Sequence, residues 1–191
     1  TLGADIGGSH ICAALVDEQG RLFEESHRRL EVDPHAEAAG VLGWWCNAIR
    51  SALAANAEHR VAGIGVAMPG PFDYPGGVCL MRGVGKFDNL YGVNVRDEFH
   101  DRLALEDEFP ILFENDASCF LLGETWDGRD GGRAIGITLG TGFGSAFVDS
   151  GRLAVSGPNV PPNGWLYDRP WRGERAEDLL SGRGLMRLAQ S

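Results

Sequence analysis

The strongest constraint on this chain is an ordered set of three glycine-and-acid signatures. Asp5-Ile6-Gly7-Gly8-Ser9 comes first, Glu114-Asn115-Asp116-Ala117 follows at the end of an apolar run, and Leu139-Gly140-Thr141-Gly142-Phe143-Gly144 closes the set. Two glycine-rich turns able to wrap phosphate, with a lone carboxylate between them in sequence, point to phosphoryl transfer from a nucleotide to a hydroxyl. Neither turn is a Walker loop, since Gly-Lys-Ser/Thr is missing. Neither is a dinucleotide fingerprint, since neither leads from a strand directly into a helix.

The chemistry of each signature follows from its residue types. A turn built on Gly7 and Gly8 lets backbone N–H groups approach an anion without interference from Cβ, and Ser9 adds a hydroxyl donor. Asp5 repels phosphate, so its role is to bind Mg²⁺, directly or through water. Gly140, Thr141 and Gly142 make the same offer a second time, and the two turns together would clamp a triphosphate across a cleft. Asp116 stands just past the strand Ile111-Leu112-Phe113, at a strand end where ligands sit in α/β sheets. A carboxylate there accepts the proton of a sugar hydroxyl as it attacks the γ-phosphate. Asn115 beside it exchanges hydrogen bonds with neighbouring hydroxyls. Each signature alone also has a plainer reading, a tight hairpin for the glycines and an N-cap pair for Asn115-Asp116. Pro69-Gly70-Pro71 and Asn89 either shape a polyol pocket or serve turn chemistry alone.

At 191 residues the chain suffices for one large domain or two small ones. A formal charge of −10 repels nucleic acid and anionic membranes, so neither is an expected partner. It also gives no general attraction for ATP, whose phosphates must be held locally by N–H groups and Mg²⁺. No apolar stretch approaches the ~20 residues of a membrane span, and no charged-then-apolar leader stands at the start. Cys12, Cys46, Cys79 and Cys119 form no Cys-x-x-Cys pair and read as reduced, mostly buried thiols of a cytoplasmic protein. The chain opens without Met and almost inside a strand, which suggests a trimmed front edge.

Apolar alternation predicts strands at Leu2–Ile6 and His10–Asp17, a glycine turn at Gly20, and a more polar returning strand over Arg21–Arg28. Asp33-Pro34 signals a helix start, and Leu42, Trp45, Ile49 and Leu53 give it one apolar stripe to about Ala57. Val61–Ala67 reads as a buried strand, Pro71–Gly92 as an ordered loop, Val93–Leu105 as a helix, Pro110–Glu114 as a strand and Ala117–Trp126 as a helix. The polar turn Asp127–Arg133 marks a lobe boundary. Beyond it Ala134–Leu139 and Ser145–Asp149 form a hairpin, and Glu174–Leu180 and Gly184–Ala189 form two helices with Ser181 as a cap. Leu185, Met186 and Leu188 need a partner surface, from which a further C-terminal portion is expected.

Taken together these motifs resemble the ROK family of sugar kinases, which has the actin-like ATPase, ribonuclease-H-like fold. Asp5-Ile6-Gly7-Gly8-Ser9 is similar to its first phosphate motif, with Ser where Thr is usual. Gly65 to Pro71 is similar to its Pro-Gly loop, and Asn89-Leu90 to its sugar-contacting Asn-Leu. Glu114 to Ala117, with Leu122-Gly123-Glu124, is similar to the segment of the catalytic Asp. Leu139 to Gly144 is similar to the second phosphate motif, and Ala176 to Gly182 to the segment after the family's metal site. Two features depart. Where the family commonly carries Gly-Glu-x-Gly-His, this chain reads Gly164-Trp165-Leu166-Tyr167-Asp168, and Pro170-Trp171-Arg172-Gly173-Glu174 replaces the cysteine-rich zinc region, so no structural zinc site is expected. Trp165, Tyr167 and Trp171 could stack on a sugar ring, but each is expected to pack in the core.

The resemblance implies an α/β fold with a mixed sheet flanked by helices, in two lobes: 1–126 with the sugar and phosphate site, and 127–191 beginning a second, incomplete lobe. It implies ATP-dependent phosphorylation of a hexose hydroxyl, glucose or a related sugar. Asp116 is then the base, and Gly7, Gly8, Ser9, Gly140, Thr141 and Gly142 hold phosphate. Asp5 assists Mg²⁺, while Gly70, Asn89, Asn115 and Asp116 bind sugar. Lobe closure would exclude water. The partners are a small-molecule sugar and nucleotide, with a homodimer as one allowed assembly. These 191 residues alone are expected to be inactive for want of an adenine pocket. Alternatives are a non-catalytic sugar-binding regulator or degenerate kinase, and an actin-like ATPase acting on a carboxylate.

Overall fold

In a computed structural model, which describes residues 1–55, 60–126, 132–140 and 142–190, the chain falls into two compact units, Thr1–Asn115 and Asp116–Ser191. The expected helix end near Ala57, most of the turn after Trp126 and Thr141 lie outside the described residues.

The first unit is built on a five-stranded mixed sheet. β1 (Leu2–Ile6), β2 (His10–Leu15) and β3 (Arg28–Glu31) form the antiparallel meander, while β4 (Ile64–Met68) and, after the short pair β5 (Phe72–Asp73) and β6 (Val78–Cys79), β7 (Ile111–Asn115) add parallel to β1. The order is β3-β2-β1-β4-β7. Leu2, Ala4 and Ile6 pair with Leu15, Ala13 and Ile11 in register, and Ile64, Val66 and Ile111 extend the same buried face. On it packs α1 (Ala38–Ala54) through Leu42, Trp45 and Ile49, all essentially buried; each such side chain contributes about 1.5–3 kcal/mol. α2 (Val95–Leu103) starts at Asn94, whose side chain accepts from the N–H groups of Arg96 and Asp97, and ends at Ala104 in the left-handed conformation.

Two boundaries differ from the sequence expectation for visible reasons. The helix starts at Ala38, not at Pro34, because the preceding carbonyls are taken. Phe87 N–H donates to Pro34 O at 2.8 Å, and Asn89 Nδ2 donates to His35 O and Ala36 O at 3.2 and 3.1 Å. The third strand starts at Arg28, not Arg21, because Glu24–Ser26 forms a 3₁₀ turn. Fully buried Ser26 holds it, its Oγ accepting from Leu15 N–H at 2.8 Å and donating to Phe23 O at 2.6 Å.

The second unit opens on α3 (Asp116–Glu124), which follows β7 without a loop. Then come the hairpin β8 (Arg133–Leu139) and β9 (Phe143–Asp149), with β10 (Arg152–Leu153) on the other edge of β9. A small hairpin, β11 (Pro170–Trp171) and β12 (Glu174–Arg175), precedes α4 (Ala176–Leu180) and α5 (Gly182–Ala189). Ala117 and Leu121 of α3 pack on Ala146 and Val148 of β9. Glycines allow the approach: a Cβ on Gly136 would stand 2.9 Å from Leu121 Cβ, and one on Gly144 would stand 3.1 Å from Ala117 Cβ. Residues 174–175, expected to begin a helix, are strand instead. Trp171, expected in the core, lies on that small hairpin and is 57% exposed.

Candidate functional site

The first glycine turn joins β1 to β2. Gly7 N–H donates to His10 O at 2.9 Å, and Ser9 O accepts from Val32 N–H at 2.8 Å, so the turn is tied to the start of β2 and to the residue that follows β3. A Cβ on Gly7 would stand 2.9 Å from the ring of His10, so a side chain there would force that ring to move. Gly8 differs. Its φ is not positive, and its Cβ would meet only Lys86 Cδ, at an ordinary 3.7 Å. Among the described residues nothing demands glycine at position 8, and the missing Cβ leaves the turn amides open. Asp5, the penultimate residue of β1 before the glycines, is exposed and shares its row of the sheet with Cys12 and Ala67. One exposed carboxylate suits Mg²⁺, which is commonly held by one or two carboxylates plus phosphates.

The Pro-Gly loop and Asn115 are joined by Tyr74. Its Oη donates to Met68 O and accepts from Asn115 Nδ2, both at 3.2 Å, and lies 3.3 Å from where a Cβ on Gly70 would stand. Asn115 N–H donates to Glu114 Oε1 at 2.8 Å. Asn89 uses its Nδ2 to hold the carbonyls ahead of α1, which leaves its side-chain orientation fixed.

In the second unit Asp116 is the first residue of α3, and its Oδ1 accepts from Ala117 N–H at 2.9 Å. The close approach of Ala117 to Gly144 sets this helix start against the beginning of β9. The turn between β8 and β9 is closed by Gly140 N–H donating to Gly142 O at 3.0 Å. It is braced from α5, whose Gly182 N–H donates to Gly140 O at 2.8 Å. Ser181 caps α5, accepting from Gly184 N–H. Neither Gly140 nor Gly142 has a positive φ; Cβ space is open at Gly140, and at Gly142 it meets Glu177 Oε1 at 3.5 Å. Glu177 pairs with Arg183 at 3.7 Å. Gly164 to Leu166 is pinned to β9 by buried Ser145, whose Oγ donates to Gly164 O and accepts from Leu166 N–H. Burial, with Asp168 and Glu177 nearby, pushes the Tyr167 phenol up.

The structure thus groups Gly7, Gly8, Ser9 and Asp5 at one turn. It groups Gly70 and Asn115 around Tyr74, and Asp116 with the strand leaving the second turn. Three supporting residues escaped the sequence reading. Tyr74 carried no signal beyond its position near a motif, Glu177 stood inside the Ala176 to Gly182 segment with no role assigned, and Lys86 carried one, as the chain's single lysine.

A model of the ROK family matches residues 1–162. The glucokinase of Thermotoga maritima is 28% identical over 183 residues, covering 90% of this chain and 54% of that protein. The beta-glucoside kinase of Klebsiella pneumoniae is 31% identical over 173 residues, covering 87% and 52%. Among solved structures, a ROK family glucokinase from Streptomyces griseus in complex with glucose and AMPPNP superposes with a TM-score of 0.72 at 27% identity, covering 100% of this chain and 60% of that one. The chain therefore spans about half the length of the curated relatives it matches. Its fold is the actin-like ATPase fold of these proteins, in part, with a mixed sheet flanked by helices.

Proposed function

Since the chain belongs to the ROK family, we propose that it is part of an ATP-dependent sugar kinase whose acceptor is a hexose hydroxyl, glucose or a close relative. The observation that carries the reading is the pair of glycine turns whose Gly8 and Gly140 are glycine without any demand from φ or packing. Space kept clear over backbone amides is what a phosphate tail needs.

In this reading Asp116 is the general base. The sugar oxygen forms a bond to the terminal phosphorus while the bond from that phosphorus to the ADP oxygen breaks, and the hydroxyl proton passes to the Asp116 carboxylate. The hydrogen bond from Ala117 N–H fixes that carboxylate's orientation. Gly7, Gly8 and Ser9 offer N–H and O–H donors to phosphate oxygens, and Gly140, Thr141 and Gly142 do the same. Asn89, Asn115 and the Gly70 turn orient sugar hydroxyls, with Tyr74 holding Asn115 against the Pro-Gly loop. Mg²⁺, when bound, neutralises charge developing on the phosphates, and Asp5 is the residue that would hold it.

The segment Gly164-Trp165-Leu166-Tyr167-Asp168, which lacks the carboxylate and His common in the family, favours a second reading: a sugar-binding protein without turnover. A sugar panel with coupled ADP detection on the full-length protein decides. ADP release with a hexose that vanishes in Asp116→Ala supports the kinase. Sugar binding without ADP supports the second reading.

A further inference from the structure

Of the 17 basic side chains in this sequence one is lysine, Lys86, and the rest are arginine. That lysine lies over the first glycine turn. Its Cδ stands 3.7 Å from where a Cβ on Gly8 would be, and its ammonium is one methylene further along. We propose that Lys86 is a binding residue for the phosphoanhydride tail received by the Gly7–Ser9 turn, supplying a point charge to a phosphate held by the turn amides. The proposal rests on the reading that this turn takes phosphate.

The loop carrying Lys86 is held in place. Gly83 N–H donates to Asp88 Oδ1 at 2.9 Å, and Gly83 and Gly85 take φ of 69° and 78°. Phe87, the next residue, has φ 56°, a left-handed conformation that a bulky side chain adopts only under constraint. It is kept there by full burial, by an edge-on contact with Trp45 at 5.1 Å and by its N–H bond to Pro34 O. The strained residue thus lies directly after the side chain that reaches the turn. Arg82, the other cation of the loop, is placed over the ring of Tyr91 at 5.1 Å. A lysine fits the role better than an arginine, because a compact ammonium inserts beside turn amides without a planar fork to orient. In a chain of net charge −10 a cation at this turn supplies attraction that the surface does not.

A stem that merely covers the glycine is the competing account, and two substitutions separate them. Lys86→Met keeps the stem and removes the charge, while Lys86→Arg keeps the charge. Binding of ATP and of inorganic tripolyphosphate, each with Mg²⁺, is measured by calorimetry on the full-length protein and both variants. The expected result is that Lys86→Met weakens binding about tenfold or more, Lys86→Arg by no more than about threefold, with unfolding temperatures unchanged. Weakening toward both ligands assigns the ammonium to the bare phosphoanhydride, and weakening toward ATP alone to the nucleotide-borne tail; either supports the proposal. Unchanged binding by Lys86→Met overturns it, as do equal losses in both variants or an unsubstituted protein that binds neither ligand. Because the readout is binding, a protein that phosphorylates no sugar refutes the kinase reading alone, and a working kinase indifferent to Lys86→Met refutes this proposal alone.

Discussion

In Gly8→Ala the new methyl group meets only Lys86 Cδ, at 3.7 Å, an ordinary van der Waals separation. The backbone has no positive φ there, so alanine is admitted without strain. Reduced freedom of the unfolded chain then stabilises the fold by about 0.4–1 kcal/mol. The same methyl stands in the space that the account gives to phosphate. Loss of two charge-assisted hydrogen bonds, at about 1.5–3 kcal/mol each, removes roughly 3–6 kcal/mol of binding. That is on the order of 10²–10⁴ in kcat/KM for ATP. Urea unfolding and a coupled ADP assay on the same preparation read the two effects. A variant slightly more stable than the parent and nearly inactive is the expected result. Unchanged ATP kinetics would refute the phosphate assignment, and a stability loss above about 1 kcal/mol would refute the reading that position 8 is unconstrained by the fold.

Other consequences follow from single contacts. Tyr74→Phe removes the hydroxyl between Met68 O and Asn115 Nδ2, and is expected to raise the sugar KM several-fold with the ATP KM unchanged in steady-state kinetics. Ser26→Ala leaves Leu15 N–H buried without its acceptor and is expected to cost about 1–3 kcal/mol in urea unfolding. Burial pushes the Cys46 thiol up from 9.0 to about 11 and raises Cys79 as well. In the unfolded chain these thiols ionise near 9 while in the fold they stay protonated, so stability is expected to fall between about pH 9 and 11, and Cys46→Ala should flatten that slope.

How much of this was legible depended on how local the cause was. The strands of the first sheet were, because Leu2, Ala4 and Ile6 and their partners alternate on a buried face. The cap at Asn94 and the start of α1 were not read correctly, but for different reasons. Asn94 lies within two residues of the expected boundary, whereas the start of α1 is set by Phe87 and Asn89, which take its carbonyls from a distant loop. Ser26 likewise acts through Leu15, on a different strand. The glycine motifs were visible as motifs. Which glycines the fold requires was not, since that depends on what a Cβ would meet: the His10 ring at Gly7, Leu121 at Gly136, and open space at Gly140. The position of Trp171 failed because aromatic character signals burial only on average, and on a hairpin of two-residue strands it stays 57% exposed.

The role of Asp116 is read from transfer of the labelled γ-phosphate of ATP to a hexose by the full-length protein and by Asp116→Asn. A labelled sugar phosphate is expected, its formation falling by roughly 10²–10⁴ in the Asn variant with the unfolding curve unchanged. Equal rates of labelled product from both proteins would contradict that role.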